Sequence, residues 1–394
     1  MKQLLIAQTD SDTTTAILEN NKLTEIFIDN ETTKVGQIIV GRVRTIMPGQ
    51  FAFIDIGDKK NAFANFKDAN NIKTGQPIVV QVQKDATASK GAYVTQDIEL
   101  KGWLVILHRT PGVGVSHKIT NEKESRRLKE LVRKLLPKGY GAIVRTNAQE
   151  QDSGALKAEI DKLHKIFEEV LHRGQYALPP AKLYPTIPSG EILKDLISDS
   201  LDEVHISGSV EMYFALQMHI CELVPKLDGK VFHFQESKLE DKLLDAFGVR
   251  RQMRIALEKT VPLPCGGFIT IEETEACVVV DVNTGNNTNS QSYRQTILNT
   301  NLEAATEIIN QIILRNLAGI IVIDFIDMSR QEDREAVMAK LTQEAKRDRL
   351  NPEITGMSKF GIVQMARPKR RLSLSQILET TCPHCSGKGK VRRG

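Results

Sequence analysis

Two short apolar runs in this sequence each end in an aspartate, and a helical pattern lies between them. The runs are 276–281 and 319–324, and they end in Asp281 and Asp324. Such short runs of β-branched residues predict strands that are buried on both faces of a sheet. In the intervening segment, apolar residues recur at the spacing of one helix face. Because a helix that links two strands of one sheet forms a crossover unit, we expect the two strands to be parallel.

Parallel strands place their carboxyl ends on one edge of the sheet, where ligands bind in open α/β sheets. Asp281 and Asp324 should therefore lie together at that edge and share a hard cation. Mg²⁺ is commonly held by one or two carboxylates together with waters and substrate phosphates. The nearby amide of Asn283 could orient the metal or the phosphate. The pair thus predicts a Mg²⁺-dependent phosphodiesterase; the alternative is that both aspartates only cap the turns after their strands.

The composition is that of a globular protein. The chain has 394 residues, of which 41% are hydrophobic and 26% charged, which is enough for about two to four domains. The apolar stretch near the start is too short for a signal peptide, and no run reaches the length of a membrane span. We therefore expect a cytoplasmic protein. Five cysteines in a chain of this size argue against a disulfide framework.

The C-terminal segment is strongly basic. From residue 357 to residue 394 there are nine lysines and arginines but only one acidic residue, Glu379. A basic tail on a mildly acidic body indicates a polyanionic partner. The alternative is a tail that is merely solvated.

The N-terminal third has the pattern of small β-structures. Residues 2–30 alternate short apolar runs with turns, which predicts a meander of strands. Residues 35–101 contain short strand-like runs between Gly, Asn and Lys turns, which predicts a small closed barrel of the OB type. Phe53 and Phe63 would suit base stacking there, and Lys90 a phosphate contact. Because most aromatic side chains in small barrels are buried, the alternative places both rings in the core.

An α/β pattern follows over residues 102–173. Helices are predicted over 122–136 and 155–171, and a strand over 140–146. That strand ends in Arg145 and Thr146, which could hold a terminal phosphate, although such a pair is more often a surface feature. The proline-rich stretch 179–188 predicts an extended linker.

A single CxxC motif lies near the C-terminus. Cys382 and Cys385 supply only two thiolates, whereas a structural Zn²⁺ site takes four ligands. The following Gly387 and Gly389 favour the tight turns of a metal knuckle. Either a second chain completes a zinc site with its own pair, or the pair is redox-active or free. We favour the shared zinc.

Four segments together resemble the ribonuclease E/G family of bacterial endoribonucleases, and the resemblance runs over nearly the whole chain. The segments are 280–283 (Val-Asp-Val-Asn), 299–305 (Asn-Thr-Asn-Leu-Glu-Ala-Ala), 321–328 (Ile-Val-Ile-Asp-Phe-Ile-Asp-Met) and 382–387 (Cys-Pro-His-Cys-Ser-Gly). The spacing between Asp281 and Asp324 agrees with the family as well.

The resemblance implies an α+β multidomain fold. A ribonuclease H-like subdomain would carry an inserted OB-type RNA-binding barrel and a 5′-sensor region, followed by a deoxyribonuclease I-like α/β catalytic subdomain and a zinc-link. The implied boundaries are 1–34 and 190–255 for the two parts of the ribonuclease H-like subdomain, 35–101 for the barrel, 102–189 for the sensor, 256–378 for the catalytic subdomain, and 379–394 for the zinc-link and basic tail.

The resemblance also implies roles for single residues, and for the two Phe it reverses the expectation of a core position. The matched positions are Asp281 and Asp324 for Mg²⁺, Asn283 for orienting them or the phosphate, Phe53, Phe63 and Lys90 for RNA, Gly102, Ile106, Arg145 and Thr146 for a 5′-monophosphate, and Cys382 and Cys385 for zinc.

The implied activity is hydrolysis of single-stranded, A/U-rich RNA to a 3′-hydroxyl and a 5′-phosphate, in ribosomal RNA processing and mRNA decay. The implied partners are RNA and a second copy of the chain, joined through zinc; a scaffold for other degradation enzymes is not expected. Two rival classes are a non-catalytic RNA-binding protein, such as a translation factor or RNA chaperone, and a zinc-dependent redox protein. The first has no need of the two aspartates, and the second leaves the barrel unexplained.

Overall fold

The computed structural model describes residues 1–9, 12–30, 34–48, 51–65, 72–87, 90–184, 193, 195–197, 200–235, 242–285, 293–380, 382–385 and 389. The chain divides into two compact units. The first comprises Met1–Thr15 and Phe27–Gln235, and the second comprises Ala16–Ile26 and Glu236–Gly394. Of the helices within the described ranges, none is long and apolar enough to cross a membrane.

The first eleven elements of the described chain are all strands, and helices and strands are mixed from residue 122 onwards. The strands are β1 Lys2–Gln8, β2 Asp12–Glu19, β3 Lys22–Asn30, β4 Ile38–Met47, β5 Phe51–Asp55, β6 Ala62–Asn65, β7 Pro77–Lys84, β8 Tyr93–Thr95, β9 Glu99–Lys101, β10 Val105–His108, β11 Gly112–Val115, β12 Gly141–Val144, β13 Ala181–Tyr184, β14 Glu203–Ser207, β15 Val231–His233, β16 Thr260–Pro262, β17 Phe268–Glu273, β18 Val278–Asn283, β19 Gly319–Asp324, β20 Glu353–Ile354 and β21 Ile362–Arg367. The helices are α1 Glu122–Leu135, α2 Ser153–Tyr176, α3 Val210–Leu223, α4 Leu243–Ala246, α5 Val249–Ala256, α6 Tyr293–Leu314, α7 Gln331–Ala345 and α8 Leu374–Leu378.

The N-terminal strands belong to a five-stranded sheet with the order β15-β14-β1-β2-β3. The predicted meander over residues 2–30 is confirmed, because β1, β2 and β3 are successive neighbours in this sheet. On its other side β1 pairs in parallel with β14, so that two distant stretches of chain build one sheet.

The predicted closed barrel is confirmed. The sheet has the order β13-β4-β5-β6-β8-β7, and β4 also pairs with β7, so that five strands close into a barrel and β13 is added on β4 outside the closed ring. Alternate residues of β5 and β6 face the barrel core, where Ala52, Ile54, Ala62 and Ala64 are buried.

The prediction of an extended linker over 179–188 is wrong for part of that stretch. Strand β13 pairs antiparallel with β4, and Leu183 packs, buried, in the hydrophobic core shared with α2. The strand pairing and the burial of Leu183 hold residues 181–184 against the barrel and α2. Residues 185–188 lie outside the described part of the chain.

The region predicted to be the sensor contains a four-stranded sheet, β11-β12-β10-β9, that shares a hydrophobic core with α1 and α2. Helix α1 begins after Asn121, whose side chain accepts from the backbone N–H groups of Lys123 and Glu124. Helix α2 buries one stripe of side chains, Leu156, Ile160, Leu163, Phe167 and Val170. Both predicted helices are confirmed, and α2 extends beyond the predicted 155–171 at both ends.

The second unit contains a six-stranded sheet with the order β16-β17-β18-β19-β21-β20. Strands β18 and β19 are parallel and α6 joins them, which confirms the predicted crossover unit. The prediction that both faces of these strands are buried is wrong. Residues of α6 and α7 pack with Val280 and Ile323 on one face, whereas Val279 and Ile320, which point to the other face, are 36% and 57% exposed.

Candidate active site and nucleic-acid interface

Asp281 and Asp324 are brought side by side by the pairing of β18 with β19. The two residues are direct partners in the parallel register. Both side chains are exposed, whereas Val280 and Ile323, one residue before each, are fully buried. Because side chains alternate across a strand, both carboxylates lie on the face of the sheet opposite α6. The prediction that they meet at the carboxyl ends of parallel strands is confirmed.

Like charges crowd this carboxylate pair. Nδ2 of Asn283 donates a hydrogen bond of 2.7 Å to Oδ2 of Asp281, so that the amide orients this carboxylate. Partial burial, followed by the negative charges of Asp281 and Asp327, raises the pKa of Asp324 above its ordinary value. A divalent cation at the pair would relieve this repulsion.

The chemistry of the donors fits Mg²⁺. Within the described part of the chain, no group of three or more His, Cys, Asp or Glu side chains is arranged to hold a metal ion. Mg²⁺ takes one or two carboxylates and completes its shell with waters and phosphate oxygens, which is what two adjacent carboxylates on an open sheet face can accept.

A buried amide fixes the backbone next to Asp324. The side chain of Asn301, on α6, is fully buried. Its Nδ2 donates to the carbonyl oxygen of Ile326 over 2.9 Å, and its Oδ1 accepts from the backbone N–H of Ile326 over 3.1 Å. This pair of hydrogen bonds, here called the amide clamp, holds the chain two residues beyond Asp324. Sequence reasoning missed the role of Asn301, although a polar residue on the buried face of a helix is a signal for it.

The aromatic residues of the barrel form a cluster outside its core. The rings of Phe53 and Phe63 lie 5.9 Å apart, edge to face. Phe51 stacks on Phe63 at 5.3 Å, and Tyr93 lies 6.1 Å from Phe63. All four side chains are half-buried, whereas the barrel core is made by their strand neighbours. The alternative in which Phe53 and Phe63 are core residues is therefore wrong, and Phe51 and Tyr93 were missed.

Two lysines border this region of the barrel. Nζ of Lys84 lies 5.7 Å from the centre of the Tyr93 ring, within the range of a cation–π contact. Lys90 is exposed on the turn that precedes β8, where its backbone N–H donates to Oγ1 of Thr87 over 3.1 Å. Phe53, Phe63 and Lys90 thus belong to neighbouring parts of one barrel.

The predicted sensor residues cluster around the end of β12. Nη1 of Arg145 donates to the carbonyl oxygen of Gly102 over 2.6 Å, and Thr146 follows at the start of a 3₁₀ turn. Ile106 lies half-buried on β10, the strand between β9 and β12. The structure therefore brings Gly102 and Arg145 into contact. Thr146 follows Arg145 directly in the chain, and Ile106 lies on β10, the strand that pairs with β12.

Glu159 supports the loop that carries Gly102. Its Oε1 accepts from the backbone N–H groups of Leu104, over 2.7 Å, and Val105, over 3.0 Å. Burial raises the pKa of this carboxyl, against the opposing effect of those N–H groups. A Cβ atom at position 102 would run into the Glu159 carboxylate, so the loop can keep this packing only with glycine there.

Cys382 and Cys385 form a tight turn whose sulfurs face N–H groups. The backbone N–H groups of Cys385 and His384 lower the pKa of the Cys382 thiol. The N–H of Gly389 donates to Sγ of Cys385 over 3.3 Å. The contacts at Cys382 favour its thiolate, which a zinc site and a redox pair need alike.

Comparison with known proteins places this geometry in a family. The sequence profile of the ribonuclease E/G family matches residues 100–370. Ribonuclease G of Haemophilus influenzae and ribonuclease G of Escherichia coli strain K12 are each 34% identical to the chain, in alignments that cover 99% of it and 84% of the relative. Ribonuclease E of Nostoc sp. strain PCC 7120 is 30% identical over 100% of the chain and 59% of the relative. The chain therefore belongs to the ribonuclease E/G family.

Proposed function

We propose that this protein is a Mg²⁺-dependent endoribonuclease of the cytoplasm that cleaves single-stranded, A/U-rich RNA and prefers 5′-monophosphorylated ends. Membership in the ribonuclease E/G family makes the chain an endoribonuclease. The observation that supports the metal-dependent mechanism is the in-register pairing of Asp281 with Asp324 on one open sheet face. Its processes would be ribosomal RNA processing and mRNA decay.

Asp281 and Asp324 would hold the metal. When bound there, Mg²⁺ supplies an acidified water and stabilises the charge that builds on the scissile phosphate. The part of this chain is to fix the two carboxylates in a common orientation. Asn283 holds the carboxylate of Asp281 by its hydrogen bond, and the amide clamp of Asn301 holds the backbone beyond Asp324.

The barrel would bind the RNA strand. Its half-buried aromatic cluster offers ring faces and edges on which unpaired bases can stack, and stacking of this kind tolerates different bases. Lys90, and Lys84 beside Tyr93, would neutralise phosphates along the same strand. A duplex keeps its bases stacked within itself, so this surface favours single-stranded RNA.

The sensor would bind the 5′-phosphate. Arg145 and Thr146 supply a guanidinium and a hydroxyl at the end of β12, and Gly102 and Ile106 would form the rest of the pocket. An arginine fork binds phosphate oxygens in a defined orientation. A 5′-hydroxyl end lacks the charge for this contact, which would make cleavage of monophosphorylated RNA faster.

The two C-terminal cysteines would join two chains. Cys382 and Cys385 give two of the four ligands of a tetrahedral zinc site, and a second copy would give the other two. Zinc content after purification, measured with the oligomeric state before and after chelation, tests this homodimer. Zinc-free protein that stays a dimer would favour a redox pair or free thiols instead.

The proposed function is tested with a short A/U-rich RNA that carries either a 5′-monophosphate or a 5′-hydroxyl, in the presence of Mg²⁺. We expect internal cleavage of both, faster with the monophosphate, and no cleavage when EDTA replaces Mg²⁺. Intact binding without cleavage of either RNA would favour the non-catalytic RNA-binding protein. Equal rates on both RNAs would contradict the sensor while leaving the endoribonuclease in place.

A further inference from the structure

Two cations of the sensor region converge on one internal carboxylate. Nη2 of Arg145 donates to Oδ1 of Asp195 over 2.6 Å, and Nζ of Lys101 donates to Oδ2 of the same residue over 2.9 Å. The exposed fractions of the side chains are 16% for Arg145, 25% for Lys101 and 27% for Asp195. These ion pairs are thus largely shielded from solvent, where they are stronger than on an open surface.

The sheet explains why the two cations meet. Lys101 ends β9 and pairs with Ile106 of β10, and on the other side of β10 Ile106 pairs with Ile143 of β12. Arg145 follows β12 directly. The two strands that flank Ile106 therefore each present one cation at this part of the sheet. Asp195 gives one oxygen to each of them, as two oxygens of a phosphate group would.

We infer that Asp195 occupies the 5′-phosphate site of the unliganded protein, and that Lys101 is the second cation of that site. This inference rests on the proposed sensor role of Arg145. A 5′-monophosphate would bind by exchange: it takes over the two cations, and the Asp195 carboxylate is released to solvent. Asp195 thereby sets the strength of 5′-phosphate binding from inside the protein.

The exchange has a physical basis in charge and oxygen count. A phosphomonoester carries a charge of about −1.5 to −2 at neutral pH and three terminal oxygens, against one charge and two oxygens for the carboxylate. It can therefore replace both ion pairs of Asp195 and still offer an oxygen to another donor, such as Thr146. A 5′-hydroxyl has no charge with which to displace Asp195, so the site stays closed to it.

The test compares Asp195→Asn with wild type in equilibrium binding of fluorescent 5′-monophosphate and 5′-hydroxyl oligoribonucleotides, with EDTA present so that cleavage does not interfere. Asn keeps the size of Asp but loses its charge. We expect Asp195→Asn to bind the 5′-monophosphate RNA about tenfold more tightly, the scale of one charged hydrogen bond. Binding of the 5′-hydroxyl RNA should change by less than about twofold.

Lys101→Met gives the second arm. It should weaken binding of the 5′-monophosphate RNA several-fold in the Asp195→Asn background, where no internal anion complicates the measurement, and should leave the 5′-hydroxyl RNA unaffected. The exposed helix residues Asp161 and Lys157 provide controls: Asp161→Asn and Lys157→Met change the net charge equally and should leave the ratio of the two affinities at the wild-type value.

Each outcome decides the inference. A lower preference for 5′-monophosphate RNA in Asp195→Asn would show that Asp195 orients Arg145 for the phosphate and would overturn the exchange. An unchanged preference would overturn it as well. If no variant distinguishes the two RNAs, the sensor assignment fails together with the inference. The proposed nuclease is then judged separately, by Mg²⁺-dependent cleavage of the 5′-hydroxyl RNA.

Discussion

The carboxylate pair of the second unit and the ion-pair cluster around Arg145 in the first unit, which we propose as the sensor, have opposite electrostatic states. Asp281 and Asp324 bring like charges together, and the pKa of Asp324 is raised as a result of burial and of this crowding. In the proposed sensor, Arg145 and Lys101 already share the carboxylate of Asp195. The first site gains free energy from any ligand that brings positive charge. At the second site, an anionic ligand would have to displace Asp195 from its ion pairs before it could bind.

Because of this difference, we expect variants of the two sites to have opposite effects on folding stability. A carboxyl group whose pKa is raised in the folded state opposes folding once the pH exceeds its unfolded-state pKa. Ionised Asp324 therefore costs stability at neutral pH, and its removal should abolish function while relieving the fold. Removal of Arg145 should instead weaken both the fold and the specificity.

The largest effect is expected for Asp324→Asn. Cleavage of RNA should fall by about a thousandfold or more, as for the loss of a major electrostatic stabiliser. The midpoint of urea unfolding without metal should rise at low salt, and the gain should shrink as salt screens the repulsion. Added Mg²⁺ should raise the midpoint of wild type but not of the variant. A lower unfolding midpoint of Asp324→Asn without metal would contradict the claim that ionised Asp324 destabilises the metal-free fold.

A smaller loss is expected for Asn301→Ala, which removes the amide clamp. The backbone N–H and carbonyl of Ile326 then lose their partners, which costs about 2 kcal/mol of unfolding free energy. Cleavage should fall by about 10- to 100-fold, and more Mg²⁺ should be needed for half-maximal activity. Asn299→Ala, at an exposed position of the same helix, is the matched control. A rate loss with an unchanged Mg²⁺ requirement would contradict the positioning role of Asn301.

Arg145→Gln should remove the preference for 5′-monophosphate RNA. The ratio of kcat/KM for 5′-monophosphate RNA to kcat/KM for 5′-hydroxyl RNA should fall by about tenfold. Cleavage of 5′-hydroxyl RNA should stay near wild type. Because Asp195 and the carbonyl of Gly102 lose a donor, the unfolding free energy should fall by about 1–3 kcal/mol. Arg126→Gln, whose side chain is 78% exposed, should change neither quantity. A fully retained preference for 5′-monophosphate RNA would exclude Arg145 as the sensor.

The smallest effect is expected for the ion pair between Glu124 and Arg127, which takes no part in the proposed binding of the 5′-phosphate. Bonds from the Arg127 side chain and from the backbone N–H of Glu150 lower the pKa of Glu124 from 4.5 to about 2. Its stabilising contribution is therefore present above pH 4.5 and is lost as the pH falls towards 2. Above pH 4.5, wild type should exceed Glu124→Gln in unfolding free energy by about 1 kcal/mol or less. This difference should shrink as the pH falls from 4.5 towards 2. Glu130→Gln, exposed on the same helix, is the control variant with the same change in net charge.

Local patterns in the sequence predicted the crossover unit and its carboxylate pair. Short β-branched runs and helical spacing define strands β18 and β19 and helix α6, and chain connectivity then requires parallel strands. The same runs could not show whether one or both faces are covered, because that depends on the packing of other elements. Val279 and Ile320 are exposed for this reason. The fifth strand of the barrel, β8, was not located because it is only three residues long.

Contacts between distant residues that no motif or strand connection links were beyond prediction. Asp195 lies 94 residues from Lys101 and 50 from Arg145, and no spacing pattern links them. Asn301 carried a weak local signal, a polar residue on a buried helix face. Phe51 and Tyr93 were missed, although strand alternation places Phe51 on the same face as Phe53.

The central claim, that Asp281 and Asp324 hold the metal for RNA hydrolysis, is tested most directly with Asp281→Asn. The measurement is Mg²⁺-dependent cleavage of an internally labelled, 5′-monophosphorylated A/U-rich RNA, with equal RNA binding by wild type and variant first established in EDTA. We predict that wild type yields internal fragments with new 5′-phosphate ends and that the variant is slower by about a thousandfold or more. Turnover by Asp281→Asn near the wild-type rate would contradict the account.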